Sequence, residues 1–129
     1  MQAHDVADSF ARIGEFEFHE LSRFNDGTLG IVKIATGQGP WERHPDTDEL
    51  FHLLAGRLEL TVLAADGPQT LELSAGQVFV IPRGHWHRAR VLAPVELLYL
   101  TPGCSEHSDA DDPRQEADSE GRRSCSPST

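Results

Sequence analysis

The sequence predicts an all-β domain of the barrel or jelly-roll type. Its apolar residues come in short runs of about four to eight, a length typical of strands. Glycine, proline, asparagine and aspartate separate these runs and supply the turns between them. About eight or nine strands result, which is enough to close a barrel or jelly roll and protect its edges. The 129 residues fit one such domain.

The N-terminal part of the chain is expected to hold a short extension and the first strands. Residues 1–14 form the extension, and only 2–12 within it show a weak helical pattern. The tripeptide Asn25-Asp26-Gly27 is a turn signal, and the apolar run over 29–35 after it is a strand. We expect the barrel to span residues 15–103.

The middle of the chain supplies the remaining strands. Two alternating stretches meet at Gly56-Arg57, which we interpret as a hairpin turn, and Asp66-Gly67-Pro68 marks another. The predicted strands cover residues 49–54, 58–63, 70–73, 77–81, 86–92 and 95–100.

The composition changes after Gly103. Residues 104–129 contain no aliphatic side chain larger than alanine and consist mostly of Ser, Asp, Glu, Arg and Pro. Such a segment buries too little apolar area to offset the entropy of ordering it. It is therefore predicted to be a disordered, acidic, Ser-rich tail. Cys104 and Cys125 both lie in it without CxxC spacing, which favours free thiols.

The charge balance narrows the classes of partner. The formal net charge is −10, with 21 acidic against 11 basic residues. Nucleic acids and anionic membranes would be repelled, so small molecules and proteins remain as partners. The sequence has no apolar run of about 18 residues to span a bilayer and no signal-peptide pattern at its start. These features predict a cytoplasmic protein.

Two segments carry groups that can bind a metal ion. In the first, Glu42, His44 and Glu49 surround a bend at residues 45–47. Period-two alternation puts Glu42 and His44 on one face of an approaching strand, and a hairpin-like return could aim all three groups inward. In the second, a Pro82-Arg83-Gly84 turn delivers His87. Four nitrogen and oxygen donors of this kind are suited to a divalent first-row metal.

The two segments resemble the two sequence motifs of the cupin superfamily, whose fold is a small jelly-roll barrel. In the first motif, Glu49 lies six residues before Gly56 and His44 matches the second family histidine. Glu42 stands where the family has its first histidine. The second motif is matched by Gly76, Pro82, Gly84 and His87, with Val91 in place of the terminal asparagine. The motifs cover about 45 residues, and the strand pattern extends the resemblance over roughly 15–100.

The resemblance implies metal ligands at Glu42, His44, Glu49 and His87. A second carboxylate hardens the site and favours Mn²⁺ or Fe²⁺, although Zn²⁺ and Ni²⁺ also suit it. Alternatively the site has lost its metal, and Glu42 is a rim carboxylate paired with an arginine. Family habit also implies a homodimer, and the outward apolar residues Leu50 and Leu54 agree with that.

Further side chains beside the ligands are candidates for a substrate pocket. They are Trp41, Phe51, His85 and Trp86. Core packing explains either tryptophan equally well, and His85 could instead be a solvated turn residue. His52 is expected in a packed interface. The cluster Arg83, Arg88 and Arg90 could bind a substrate carboxylate or form a charged surface.

The function these features favour is that of a small metal-binding protein which holds an oxygen-bearing organic molecule at a divalent metal inside the barrel. The cupin fold hosts dioxygenases, isomerases and lyases as well as pure binding modules, so the reaction stays open. A metal-dependent enzyme is favoured. The alternatives are a non-catalytic small-molecule-binding or sensor module without metal, and a structural dimer with a vestigial pocket.

Overall fold

A computed structural model describes residues 1–115 and 123–125 of the chain, and it confirms the all-β prediction. One helix, α1, precedes the strands, and the nine strands of the described residues belong to one curled sheet. The elements are α1 (Val6–Arg12), β1 (His19–Phe24), β2 (Gly27–Ile34), β3 (Trp41–Arg43), β4 (Glu49–Ala64), β5 (Gly67–Ser74), β6 (Val78–Ile81), β7 (His87–Pro102), β8 (Cys104–Ser108) and β9 (Arg123–Cys125), with a 3-10 turn at Pro113–Gln115. The hydrogen-bonded order is β1-β2-β7-β3-β8-β9, and β4 pairs with β5, β6 and β7.

Two long antiparallel strands, β4 and β7, form the centre of the sheet. They pair from Leu50 opposite Leu100 to Val62 opposite His87, and the register shifts midway, between residues 53 and 58. At that shift Gly56 has φ 86°, and a Cβ there would collide with the carbonyl oxygen of Pro94. Glycine is required because both the conformation and the close approach exclude a side chain.

The structure corrects two of the strand boundaries predicted from the sequence, because β4 and β7 continue through this register shift. Residues 49–54 and 58–63 are not separate strands joined by a turn at Gly56, because the ladder continues through the bulge. The same holds for the predicted strands 86–92 and 95–100, because β7 runs without a break from His87 to Pro102. A glycine inside a strand marks a bulge as readily as a turn, and the sequence alone did not distinguish them.

The core lies on the inner face of the curled sheet. Apolar side chains from β2, β4, β5, β6 and β7 fill it, among them Val32, Leu53, Leu60, Ile81 and Val95. Three ionisable side chains are buried there too: His44, Glu49 and His87 are each at most 3% exposed. Burying a charged group costs free energy unless the group is paired or binds a metal. These three residues therefore indicate a functional site on the inner face.

Helix α1 packs on the outer face of the sheet. Asp5 caps it by accepting a hydrogen bond from the backbone N–H of Asp8 at 2.8 Å. Phe10 of the helix packs with Ile31 of β2 in a second apolar cluster, and Leu54 packs against that cluster. The chain's own helix thus covers Leu54, which the sequence assigned to a dimer face. No helix in the described part of the chain is long and apolar enough to cross a membrane.

The segment after Gly103 is folded where the structure describes it. Strand β8 pairs with β3, and β9 pairs with β8, placing Cys104 opposite Cys125. The prediction of disorder is therefore wrong for residues 104–115 and 123–125, and the rest of that predicted tail, 116–122 and 126–129, lies outside the described residues. Backbone pairing and polar contacts hold β8 without large apolar side chains. Cys104 is disulfide-bonded, which corrects the expectation of a free thiol there.

Candidate metal centre

Four polar side chains converge inside the curled sheet. Glu42 is the middle residue of β3, His44 follows that strand, Glu49 begins β4 and His87 begins β7. In the ladder between β3 and β7, Glu42 lies directly opposite His87. A backbone hydrogen bond from the N–H of Gly84 to the carbonyl of His44, 2.8 Å long, joins the loop that carries His44 to the loop that precedes His87. The structure thus brings together all four residues that the sequence suggested as ligands.

The donor atoms of these side chains face one another at short range. The Nε2 atom of His44 lies 2.9 Å from Glu42 Oε1 and 3.1 Å from Glu49 Oε1. The Nε2 atom of His87 lies 3.2 Å from Glu49 Oε1 and 3.6 Å from Glu42 Oε1. Ligands about 2.1 Å from one ion are about 3.0 Å apart at right angles and about 3.4 Å apart at the tetrahedral angle. The observed spacings match those of a coordination shell.

One carboxylate oxygen lacks the partner that its burial demands. Thr101 donates its hydroxyl hydrogen to Oε2 of Glu49. The other oxygen, Oε1, is buried and accepts no hydrogen bond from any described residue, although both imidazoles lie close to it. Buried polar atoms without a partner are rare in proteins, and a bound ion or water is one way to satisfy them. The residues therefore fit a divalent cation bound between Glu49, the two imidazoles and Glu42.

The electrostatics of the cluster follow from two acids and two bases buried together. Burial alone would lower the pKa of His44, but Glu42 and Glu49 raise it to about 10. The pKa of His87 is raised in the same way to about 9. Burial acts to raise the pKa of Glu42, and hydrogen bonds from His107, His44 and His87 outweigh it and hold that pKa below its ordinary value. The pKa of Glu49 is also lowered, by His44 and His87 against the effect of burial.

The charge of the cluster depends on whether the imidazoles carry protons. With both histidines protonated, two positive charges balance two carboxylates. With both neutral, the cluster carries two negative charges, which a divalent cation would balance. Metal and protons therefore compete for the same nitrogen atoms.

Each ligand candidate is also held by a second group. The carbonyl oxygen of His85 lies 3.3 Å from His87 Nδ1, and because a carbonyl only accepts, Nδ1 carries the hydrogen. In the neutral ring this leaves the lone pair on Nε2, the nitrogen that faces the cluster. His44 Nδ1 hydrogen bonds with Ser105 Oγ at 3.1 Å, and His107 Nε2 donates to Glu42 Oε2 at 2.8 Å.

Sequence reasoning missed three of these holding residues. Ser105 and His107 lie in the segment that was expected to be disordered, and Thr101 directly follows the predicted strand 95–100. No spacing relative to the cupin motifs singles them out. Only the pairing of β8 with β3 reveals the first two.

A cavity of about 530 Å³ adjoins the cluster. Its polar end is formed by Glu42, Glu49, His87, Thr101 and His107. Its walls are mostly apolar and include Val32, Ile34, Phe51, Leu58, Val95 and Leu97. Tyr99 adds a hydroxyl to these walls, and burial together with the charges of Glu49 and Glu20 raises its pKa to about 12. Volumes of about 300 to 1,000 Å³ are usual for small-molecule sites.

The candidate pocket residues divide between the cavity and other places. Phe51 lines the cavity, and its ring meets that of His87 edge-on at 6.4 Å. Trp41 and Trp86 are absent from the described lining and pack instead with Leu63 in a separate cluster.

The placement of the tryptophans corrects the expectation that they wall the pocket. Each lies next in sequence to a ligand candidate, and neighbouring residues on a strand point to opposite faces. The guanidinium groups of Arg43 and Arg88 cover the rings of Trp86 and Trp41, at 4.8 Å and 4.5 Å.

The arginine cluster predicted from the sequence is dispersed. Arg83 lies 3.8 Å from Asp48 and Arg90 pairs with Glu59 at 3.2 Å, so both belong to a charged surface. Arg88 lines the cavity. His85 is half-buried, hydrogen bonds with the carbonyl of Arg83 and is outside the described lining of the cavity.

Known proteins resemble this chain in sequence and in fold. A family model, Cupin_2, described as a cupin domain, matches residues 30–101. The uncharacterized protein YdbB of Bacillus subtilis (strain 168) is 34% identical over 91 residues, which are 70% of this chain and 73% of that protein.

Two solved structures extend the comparison. A cupin-2 domain containing protein from Shewanella frigidimarina has a TM-score of 0.67 at 27% identity, covering 77% of this chain and 93% of that one. The hydroquinone 1,2-dioxygenase PnpCD, in complex with Cd²⁺ and 4-hydroxybenzonitrile, has a TM-score of 0.61 at 16% identity over 76% of this chain and 71% of that one. The second likeness concerns the fold alone. With its family match over residues 30–101, the chain belongs to the Cupin_2 family.

Proposed function

We propose that this protein binds a divalent metal through Glu42, His44, Glu49 and His87, and holds a small organic molecule beside it. The observation that carries the proposal is the buried Oε1 atom of Glu49, which makes no hydrogen bond with the described residues although it lies 3.1 and 3.2 Å from two imidazole nitrogens. A cation at their common centre would satisfy it. The donor set of two carboxylates and two imidazoles favours Mn²⁺ or Fe²⁺, with Zn²⁺ and Ni²⁺ as further candidates.

The cavity beside the cluster supports a ligand with one oxygen-bearing end and an apolar body. A metal bound at the cluster supplies a Lewis acid that polarises such an oxygen. The apolar walls, including Phe51 and Leu97, exclude water from the same space. Tyr99, whose pKa is raised to about 12, keeps its proton at neutral pH and can donate a hydrogen bond to the ligand. Metal-dependent chemistry on a phenol, enol or carboxyl end is the enzymatic form of this proposal.

A metal-free binding module is the second candidate, and one observation favours it. The cluster is electrically balanced without metal when both histidines are protonated, as their pKa values of about 10 and 9 imply at neutral pH. In that state the apolar cavity remains available to a ligand. The two candidates differ in whether a metal displaces these protons.

Dimerisation and a cytoplasmic location remain proposals. Val78 and Val80 on β6 are 54% and 46% exposed, and the half-buried Leu50 lies in register beside Val80. Within the described strands, β6 pairs with β4 alone. A second copy packed on this strip would bury the exposed valines.

The metal proposal predicts near-stoichiometric metal in untagged protein purified without chelator. His44→Ala and His87→Ala should each weaken metal binding by more than the roughly 100-fold that loss of an outer-shell contact costs. His52→Ala is the matched control, because His52 lies on the opposite face of β4 from Glu49 and Phe51. Elemental analysis measures the metal content, and chelator competition measures the metal affinity of wild type and variants. Wild-type protein that refuses added Mn²⁺, Fe²⁺, Ni²⁺ and Zn²⁺ would sink the metal proposal and leave the binding module.

The raised pKa values predict a pH dependence of stability in the metal-free protein. His44 and His87 have folded-state pKa values of about 10 and 9 against an ordinary value of 6.5. Their protonation therefore stabilises the fold fully below pH 6.5, and this contribution is lost as the pH rises through about 9 to 10. The Tm of metal-free protein should fall over this range, and by less when metal is bound, since the metal uses neutral imidazoles.

The control for this pH profile is the double variant His44→Gln, His87→Gln. It lacks both titrating groups, so the difference between its profile and that of wild type isolates their effect. Thermal unfolding followed by circular dichroism measures the profiles. Parallel profiles for the two proteins between pH 7 and 10 would contradict the assignment.

The cavity predicts a preference for apolar-bodied ligands. Metal-loaded protein should bind an alkyl-substituted catechol at least about tenfold more tightly than glycolate, because each buried CH₂ adds about 0.8 kcal/mol. Ala89→Phe fills the cavity from β7 and should remove ligand binding while the metal content stays unchanged. Isothermal titration calorimetry compares the two ligands. Equal affinity for both, or tighter binding of glycolate, would count against the cavity as the site.

The exposed valine strip predicts a homodimer in solution. Light scattering should give twice the mass of one chain for wild type and the monomer mass for Val80→Asp. Asp66→Ala, on the β4–β5 turn, serves as a surface control that stays dimeric. A monomeric wild-type protein at micromolar concentration would exclude the dimer.

A further inference from the structure

We propose that strand β8 is a working part of the metal centre, with Ser105 and His107 as positioning residues for the ligands His44 and Glu42. This inference rests on the proposed function, since it concerns how the ligands of the same metal are held. Strand β8 follows residues 30–101, the stretch matched by the family model. The contacts of Ser105 and His107 with the ligands therefore come from outside the matched domain.

Strand pairing places β8 directly beside the ligands. β3 has only three residues and lies between β7 and β8. Glu42 is opposite His87 in one ladder and opposite His107 in the other. Residues in register on neighbouring strands share a face, so the three side chains form one row across the sheet.

Glu42 depends more than the other ligand candidates on a hydrogen bond from another strand to fix its side chain. Its side chain is 29% exposed, whereas those of His44, Glu49 and His87 are between 1% and 4% exposed. Packing therefore fixes the other three, and Glu42 keeps more freedom to rotate. His107 Nε2 holds Oε2 of Glu42 at 2.8 Å, which leaves Oε1 facing His44 Nε2 at 2.9 Å. One oxygen is anchored and the other is presented to the metal.

Ser105 does the same for His44. It lies two residues before His107 and so faces the same side of β8. Its hydroxyl is 3.1 Å from His44 Nδ1. His44 lies after the end of β3, so its ring is not oriented by a strand of its own. The contact at Nδ1 directs Nε2 into the cluster, as outer-shell partners of metal-bound histidines do.

β8 is itself anchored by contacts that do not involve the cluster. Glu106, between the two positioning residues, pairs with Arg43 at 2.7 Å. The guanidinium of Arg43 in turn covers the ring of Trp86. Cys104, at the start of the strand, is disulfide-bonded. The strand is thus fixed from its other face, which is what a positioning element requires.

His107 is assigned as a positioning residue because of where its donor atom lies. In the described chain, the group whose donor atoms all lie within 4.8 Å of one another consists of Glu42, His44, Glu49 and His87. The Nε2 atom of His107 is instead directed at the far oxygen of Glu42.

Two pairs of variants test the inference. His107→Leu and Ser105→Ala remove the contacts, and His107→Gln and Ser105→Thr keep a group that can make them. With Co²⁺ as the probe, chelator competition gives metal affinity and the visible absorption spectrum reports the ligand geometry. We expect His107→Leu and Ser105→Ala to lose about 10- to 100-fold in affinity and to change the spectrum. The conservative variants should stay within about threefold of wild type.

The outcomes separate failure of this inference from failure of the proposed function. If wild type binds Co²⁺ and both His107→Leu and Ser105→Ala match its affinity and spectrum, the inference is overturned and the metal site stands. If wild type binds no metal, both are overturned. The Tm of each metal-free variant shows whether it is folded, and if His107→Leu unfolds, the milder pair Ser105→Ala and Ser105→Thr decides the question.

Discussion

The structure depends on the bend in the ladder formed by β4 and β7. Glu49 begins β4 near one end of that ladder, and His87 lies at the other end, opposite Val62. In a straight strand, the twelve residue-to-residue steps from Leu50 to Val62 would separate the two ends by about 40 Å. The curl closes this distance so that the donor atoms of Glu49 and His87 lie 3.2 Å apart. A side chain at Gly56 would collide with the carbonyl oxygen of Pro94 and open the bend.

Once the ends of the ladder meet, charge becomes the next constraint. The bend buries Glu49 and His87 together with His44, and three such groups require compensation in a low-dielectric interior. Glu42 makes the set symmetrical, with two acids for two bases. The usual histidine at that position would leave one carboxylate against three imidazoles. The glutamate therefore makes the cluster more attractive to cations or protons, and together with Glu49 it raises the pKa of both histidines.

The sequence predicted the fold class and suggested the four clustered residues because both depend on short-range patterns. Alternation along strands and the spacing from Glu49 to Gly56 are local, and the resemblance to the cupin motifs adds the pairing of the two segments. For the tryptophans the sequence left a pocket wall and core packing open, although an equally local rule separates the two. Trp41 and Trp86 each adjoin a ligand candidate, and period-two alternation turns an adjacent residue away from the site. Applied to those two positions, the same rule would have placed them correctly.

The contribution of β8 could not be predicted, because it arises from pairing between residues more than 60 positions apart. Composition argued for disorder after Gly103, since the segment has little apolar area. That argument treats burial as the only source of order. Here the segment completes an existing sheet, so its backbone hydrogen bonds find partners on β3, and Arg43 and Glu106 pair in a partly buried place. The unpaired edge of β3 supplies backbone hydrogen-bond partners for β8, and the buried charged cluster beside it supplies polar contacts. A segment poor in apolar residues can be ordered by these two kinds of contact.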